Sequence, residues 1–243
     1  VFWWRKEVQP GVSVAFTDTG AGNLALHVQD NEVDVWRRRS SLERAAGLGG
    51  RNFQYMNQVH GNTVAVVGST ASGSAPTADA MVSVGRPLAV MVADCVPVVL
   101  VGGAGAEQHP VLAVAHAGRP GVAAKVVSET VGQMRRAGAE HIRAWIGPSI
   151  CGSCYEVPEP LREQVAALEP RTWGTTSWGT PALDLPAGVR SQLEREGVLV
   201  EYSGECTLEN GNLFSYRRNK DTGRFAGLVW THESPRRQQL HDG

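Results

Sequence analysis

Between Leu88 and Gly121 the chain reads LAVMVADCVPVVLVGGAGAEQHPVLAVAHAGRPG, two apolar blocks that each break at, or end on, a soft metal-ligand type of side chain. Val90 to Val92 reads as a buried strand, interrupted by Asp94, Cys95 and Pro97 and resumed from Val98 to Val101 before a glycine turn at 102–105. The second block, Val111 to Ala115, stops at His116, and glycines at 118 and 121 precede apolar residues at helical spacing. His116 is therefore expected where a buried strand hands over to a helix, a common seat of chemistry.

Taken singly, a buried Cys and a hydrogen-bonded His are ordinary features of a core. A third stretch, NQVHGNTV, changes the balance, because an apolar pattern from Phe53 to Val59, expected as a strand, delivers His60 into a glycine turn. Two His and one Cys at three strand ends form a three-ligand set suited to zinc, with the fourth position open to water or substrate. The stricter spacings are missing: no Cys-x-x-Cys pair has a matching His pair, and there is no His-Glu-x-x-His helix.

The chain's 243 residues contain no polar linker that would divide them, so one domain over 1–243 is expected. Hydrophobic residues at 42% with a formal net charge of -1 describe a globular protein with a sizeable core. That balance excludes a basic nucleic-acid binder and a disordered acidic chain, and it points to no membrane or polymeric partner. Four scattered cysteines, Cys95, Cys151, Cys154 and Cys206, point to a reducing compartment. Val1 to Trp4 is followed at once by Arg5, Lys6 and Glu7, and no apolar run is long enough to span a bilayer, so the expected location is cytoplasmic.

Strands are expected at Val12 to Phe16 and across NLALHV (23–28), followed by a helix capped by Asp30 or Asn31 with Val33, Trp36, Leu42 and Ala46 on its apolar face. Of the three arginines on that helix, Arg39 is kept as a candidate anion contact. A strand at Thr63 to Val67 precedes a surface loop at 69–78 leading into Asp79, and one helix carrying Val122, Val126, Thr130 and Met134 ends at Gly138. Arg143 to Ile146 reads as a strand and Cys151-Gly-Ser-Cys154 as a loop with two incidental thiols. Helices at Leu161 to Leu168 and Leu185 to Glu196 bracket a surface excursion at 172–181, and Val198 to Tyr202 and Phe225 to Trp230 read as strands. Between those strands lie a turn at Cys206 and an aromatic and basic cluster from Phe214 to Arg218; a polar tail begins at His232. The alternation argues for a layered α/β (α+β) fold with mixed sheets flanked by helices.

The segments NQVHG, ADCVPVVL, AHAG, IGP and CT, followed by LFSYRR and TGR, together resemble the laccase-domain family. Its members are also called multicopper polyphenol oxidase-like proteins, or purine nucleoside phosphorylases of the YfiH/YlmD type. The resemblance runs from TDTGAGNLALHV to the final strand and implies a YfiH-like fold. It also implies a zinc site at His60, Cys95 and His116, the same three residues reached from spacing, with catalysis centred on them. The implied activity is phosphate-dependent cleavage of adenosine, inosine, guanosine or methylthioadenosine, together with adenosine deamination. The implied partners are therefore a nucleoside and phosphate, bound by Arg39, Arg119, Ser215, Tyr216, Arg217 and Arg218.

The chain departs from the family at AHAGRPG, where AHAGWRG is usual, so Arg119 stands at the Trp position and Pro120 at the Arg position. Arg38 replaces an Asn beside the matching Arg39, and Asn219 replaces an Asp after the matching Ser215 to Arg218. Deamination is accordingly expected to be kept more securely than phosphorolysis. Two other enzymes compete with this reading. Polyphenol oxidation at copper is disfavoured, because none of the seven His forms a His-x-His pair. A Cys-His hydrolase acting on amides, as in peptidoglycan editing, would use the same Cys95 with His60 or His116.

Overall fold

In chain order the strands of the computed structural model are β1 (Phe2–Gln9), β2 (Val12–Thr17), β3 (Val64–Val67), β4 (Ala80–Val84), β5 (Leu88–Val92) and β6 (Val96–Gly103). They continue with β7 (Val111–Ala117), β8 (Glu140–Ile146), β9 (Trp173–Thr175), β10 (Pro181–Leu183), β11 (Leu199–Tyr202) and β12 (Phe225–Thr231). The α-helices are α1 (Glu32–Ala46), α2 (Arg119–Ala123), α3 (Val126–Arg136), α4 (Glu159–Leu168) and α5 (Leu185–Arg195). The structure describes residues 1–68, 74–103, 109–202 and 204–232; parts of the expected 69–78 loop, the 102–105 glycine turn and the tail after His232 lie outside the described residues.

Two sheets form the centre. One is antiparallel, in the order β1-β2-β12-β5; the other is mixed, in the order β11-β8-β6-β7-β4-β3, with parallel pairs at β11–β8 and β3–β4. Successive side chains of a strand point to opposite faces, which explains the near-continuous valine content of β6. Val99 and Val101 of β6 meet Phe16, Val90 and Val229 of the first sheet, whereas Val98 and Leu100 face Val126, Val131, Met134 and Leu193 of the helical layer. On the outer face of the first sheet, Met91, Leu228 and Trp230 pack with Leu42 and Ala46 of α1. The result is a layered mixed α/β fold, helix on sheet on sheet on helices, in keeping with the pattern expected from the sequence. Among the described residues no helix is long and apolar enough to cross a membrane.

Several local expectations change. The opening pair of strands is β1 with β2, not Val12–Phe16 with 23–28. β1 escapes a periodicity reading because it is an edge strand whose Arg5, Lys6 and Glu7 are exposed. Residues 23–28 stay irregular because the Asn23 side chain replaces a ladder partner: Oδ1 accepts from Ala25 N and Arg224 N, and Nδ2 donates to Ala25 O and Asp30. Asn31 caps α1 by accepting from Val33 N at 2.9 Å, and Gly47 ends the helix in the left-handed region. The buried face of α1 is Val35, Arg39, Leu42 and Ala46, while Val33 and Trp36 are exposed. The single helix expected up to Gly138 is two, α2 and α3, broken where Lys125 turns left-handed (φ 60°). The 172–181 excursion contains most of a small hairpin, β9 with β10.

The largest revision concerns the block around Cys95. The strand expected to pause and resume there is two strands in different sheets, since β5 belongs to the first and β6 to the second. Ala93, Asp94 and Cys95 are the crossover between them, and Asp94 adopts φ 87° to make it.

Candidate metal centre

Each of the three ligand-type residues is set by different local structure. His116 lies within β7, opposite Pro97, rather than beyond the strand's end. Its backbone N–H donates to Asp79 O at 2.7 Å, and its Nδ1 lies 2.8 Å from the Asp79 carboxylate. A carboxylate only accepts, so Nδ1 carries a proton, and Nε2 is the nitrogen that a metal would engage once its own proton is lost.

His60 is not delivered by a strand, which corrects the expectation for Phe53 to Val59. That segment makes only isolated bridges, Gln54 to Leu88 and Asn57 to Thr77, and the Gln58 amide takes the place of a ladder by bonding both N and O of Met91. His60 itself sits at φ 62°, a conformation that costs a non-glycine residue about 1 kcal/mol or more. The Asp79 carboxylate holds it there by accepting from the N–H groups of Val59, His60 (2.8 Å) and Gly61 (2.7 Å). One buried carboxylate therefore shapes the His60 turn and orients the His116 ring.

Cys95 is fixed through its neighbour. The Asp94 carboxylate accepts from Thr207 Oγ1 and from Arg217 N, both at 2.6 Å, and its carbonyl accepts from Ile150 N. Three distant segments thus converge on the sheet crossover.

The ligand atoms of His60, Cys95 and His116 lie within 4.8 Å of one another, and the two imidazoles meet edge to face at 4.7 Å between centroids. Bonds of about 2.0–2.3 Å to a tetrahedral ion imply donor separations of roughly 3.3–3.8 Å, so a small contraction accommodates one. Gly118 supplies the space: a Cβ there would stand 2.8 Å from His60 Cδ2 and 3.2 Å from Cys95 Sγ. Donor chemistry, tautomer and room all fit a borderline-soft divalent metal.

Charge is strongly coupled within the group. Burial alone would raise the Cys95 thiol, but His116 and then His60 pull it down to about 6. Burial would lower His116, yet Cys95 and Asp79 together raise it to about 9. At neutral pH the metal-free site therefore favours a thiolate beside an imidazolium.

Two cavities open on the group and share His60, Ala93, Cys95 and Tyr216. The first, about 370 Å³, carries Ile150, Tyr155 and Leu185 together with Arg119 and Arg217. The second, about 440 Å³, carries His27, Gln58, Met91 and Arg224.

Of the residues expected to bind substrate, Arg119, Tyr216 and Arg217 line these cavities. The others do not. Arg39 is buried, donates to Leu24 O, and stacks 3.7 Å from the Tyr55 ring centroid, so it ties α1 to the loop before it. Arg218 spends its guanidinium on the carbonyls of Thr207, Leu208, Asn210 and Leu213. Ser215 is buried and accepts from Arg218 N. Cys206, from its place in the tail motif a candidate to line the site, lies instead with Cys151 and Cys154. Asp79, Asp94, Gly118, Tyr155 and Arg224 escaped the sequence reading, although Asp94 adjoins Cys95 and Arg224 ends the TGR segment.

Fold and site together define a class: layered α/β proteins with a His-Cys-His metal-type centre where the chain crosses between two sheets. The chain belongs to the family described as multi-copper polyphenol oxidoreductase laccase, whose sequence model matches residues 5–232. It is 45% identical over 232 residues to a Streptomyces griseus protein named purine nucleoside phosphorylase ORF3, covering 89% of this chain and 93% of that one. A Corynebacterium glutamicum protein, also named a purine nucleoside phosphorylase, is 40% identical over 86% of each chain. Among solved structures, the Neisseria meningitidis protein NMB0706 superposes with a TM-score of 0.79 at 31% identity, over 93% of this chain and 96% of that one. YlmD from Geobacillus stearothermophilus gives 0.79 at 29%, over 92% and 93%.

Proposed function

We propose that the protein is a zinc-dependent purine nucleoside phosphorylase that also deaminates adenosine, with His60, Cys95 and His116 holding the metal. The observation that carries the reading is the convergence of these three donors where two cavities meet at His60 and Cys95, one with aromatic and apolar walls and both with arginine. The names of the relatives support the nucleoside class. A bound zinc ion with one open position would supply a Lewis acid for activating water or polarising a substrate oxygen.

The chain's own residues account for the rest. Ile150, Tyr155, Leu185 and Tyr216 offer an apolar slot for a purine, and Gln58 lines the second cavity beyond the shared His60 and Cys95. Phosphorolysis forms a bond from a phosphate oxygen to the anomeric carbon as the glycosidic C–N bond breaks, its electron pair leaving on the purine nitrogen. Phosphate needs cations near that carbon, and Arg119, Arg217 and Arg224 are the arginines that line the two cavities. Arg119 thus supplies, one residue earlier, the charge that Pro120 lacks. Deamination needs no such cradle: water adds to the amino-bearing carbon and ammonia leaves.

One observation favours a second reading. Cys95, His116 and Asp79 stand in the order of a thiolate, its imidazole and an orienting carboxylate, which would suit attack on an amide.

Chromatography of adenosine incubated with enzyme, with and without phosphate, tests both. Inosine in both samples, and free base with ribose 1-phosphate only when phosphate is present, is the expected result. Failure of both, with amide hydrolysis abolished by thiol alkylation and untouched by chelators, would replace the nucleoside reading by the hydrolase.

A further inference from the structure

The second cysteine cluster is separate from the His60 group. Cys151 and Cys154 flank a tight turn in which Cys154 N and Tyr155 N both donate to Cys151 O at 3.0 Å. Cys206 opens another turn, closed by Asn210 N donating to Cys206 O at 3.1 Å. The two turns are stitched together by a parallel bridge, with Ser149 N donating to Glu205 O and Thr207 N to Ser149 O. Cys151 N also points at Cys206 Sγ, 3.5 Å away. The outcome is that Cys151, Cys154, Cys206 and Glu209 place their ligand atoms within 4.8 Å of one another.

Three features argue that this is a built site and not a chance meeting of thiols. The donors come as two pairs of equal spacing, Cys-Gly-Ser-Cys and Cys-Thr-Leu-Glu, each on its own turn, the way chelating turns present ligands to one ion. All three cysteines are free, and Cys154 and Cys206 are buried against Ile150 and Leu208, so the thiols are held in place by packing. On the outer side an open cavity of about 560 Å³, lined by Cys151, Cys206 and Glu209, gives an ion a way in.

We infer that Cys151, Cys154, Cys206 and Glu209 bind a second zinc ion as a closed four-ligand structural site. Three soft thiolates and one carboxylate leave no open position, so the site has no catalytic vacancy. Binding breaks three S–H bonds and releases their protons to solvent. The ion would clamp the 149–155 loop to the 205–218 segment. The first of these supplies Ile150 and Tyr155 to the cavity beside Cys95, and the second supplies Tyr216 and Arg217 and holds Asp94 through Thr207. Its role is to keep that wall assembled.

The test uses full-length protein loaded with zinc under reducing conditions, then desalted and assayed by elemental analysis. The expected contents are about two equivalents for the wild type, about one for Cys95→Ser, and none for Cys95→Ser combined with Cys154→Ser. Because loss of Cys154 could impair folding, Cys95→Ser with Glu209→Gln serves as a second variant. The exposed Glu209 changes nothing in the core, and zinc affinity should fall at least about tenfold. Cobalt substituted into Cys95→Ser should show thiolate-to-metal absorption from this site alone. A Cys95→Ser protein that is folded and thiol-reduced yet takes up no zinc overturns the inference, as does an unchanged affinity in the Glu209→Gln variant. A Cys151–Cys154 or Cys151–Cys206 disulfide in freshly isolated protein would also overturn it, in favour of a redox pair.

Discussion

Asp79→Asn is the most informative single change, because one buried carboxylate serves two of the three proposed ligands. Oδ1 accepts from Val59 N (3.1 Å), His60 N (2.8 Å) and His116 Nδ1 (2.8 Å), and Oδ2 accepts from Gly61 N (2.7 Å) and Val59 N (3.3 Å). An amide of the same shape has one acceptor where the carboxylate has two. With the Asn oxygen toward His116, its NH₂ faces the Gly61 N–H donor to donor, and the 2.7 Å bond is lost. With the amide reversed, His116 must move its proton from Nδ1 to Nε2, the nitrogen needed for the metal. Hydrogen bonds to a charged group contribute about 1.5–3 kcal/mol each, and a buried donor left unpaired costs a further ~1 kcal/mol or more. The expected loss is about 2–4 kcal/mol of folding stability, and removal of such an orienting partner weakens metal binding by about 10–100-fold. Chemical unfolding of the metal-free protein measures the first quantity, and competition with a chromogenic chelator measures the second. Stability within about 0.5 kcal/mol of wild type, together with unchanged affinity, would show that Asp79 neither holds the His60 turn nor orients His116.

Gly118→Ala should spare the fold, since φ is -72° there, yet weaken metal binding at least about tenfold by driving a methyl against His60 and Cys95; equal affinity measured with the same chelator would refute it. Arg195→Ala should cost about 1–3 kcal/mol at neutral pH by stranding the fully buried Glu169 carboxylate, with which Arg195 forms an ion pair. Burial pushes Glu169 up, but Arg195, with hydrogen bonds from Gln192 and the Arg171 backbone, outweighs it and holds the carboxyl below its usual range, so this stabilisation is present above that range and fades as the pH falls through the depressed value. In the variant only the hydrogen bonds from Gln192 and the Arg171 backbone are left to oppose burial, so the loss of stability on acidification should be smaller than in wild type, as urea unfolding across pH will show.

His60, Cys95 and His116 could be picked out from the chain itself because apolar runs that break at polar, ligand-capable residues carry their own signature. Helix caps such as Asn31 and Gly47 are equally local, depending on a side chain and the few amides beside it. What needed the tertiary structure were properties of pairs far apart in sequence. Arg39 and Arg218 read as cations open to an anion until Tyr55 is placed under the first and the carbonyls of 207–213 surround the second. The strand around Cys95 reads as one that pauses and resumes, because the polar break at Asp94 and Cys95 does not say that the two apolar parts belong to different sheets. Asp79 joins His60 and His116 across 19 and 37 residues, and Cys206 meets Cys151 across 55. Sequence by itself determined the layered α/β pattern and the ligand types, since burial periodicity and side-chain chemistry belong to each residue. Only the tertiary structure decided which carboxylate orients which imidazole, which arginines face a cavity and which thiols meet, because hydrogen bonds and coordination depend on ångström distances that chain order does not encode.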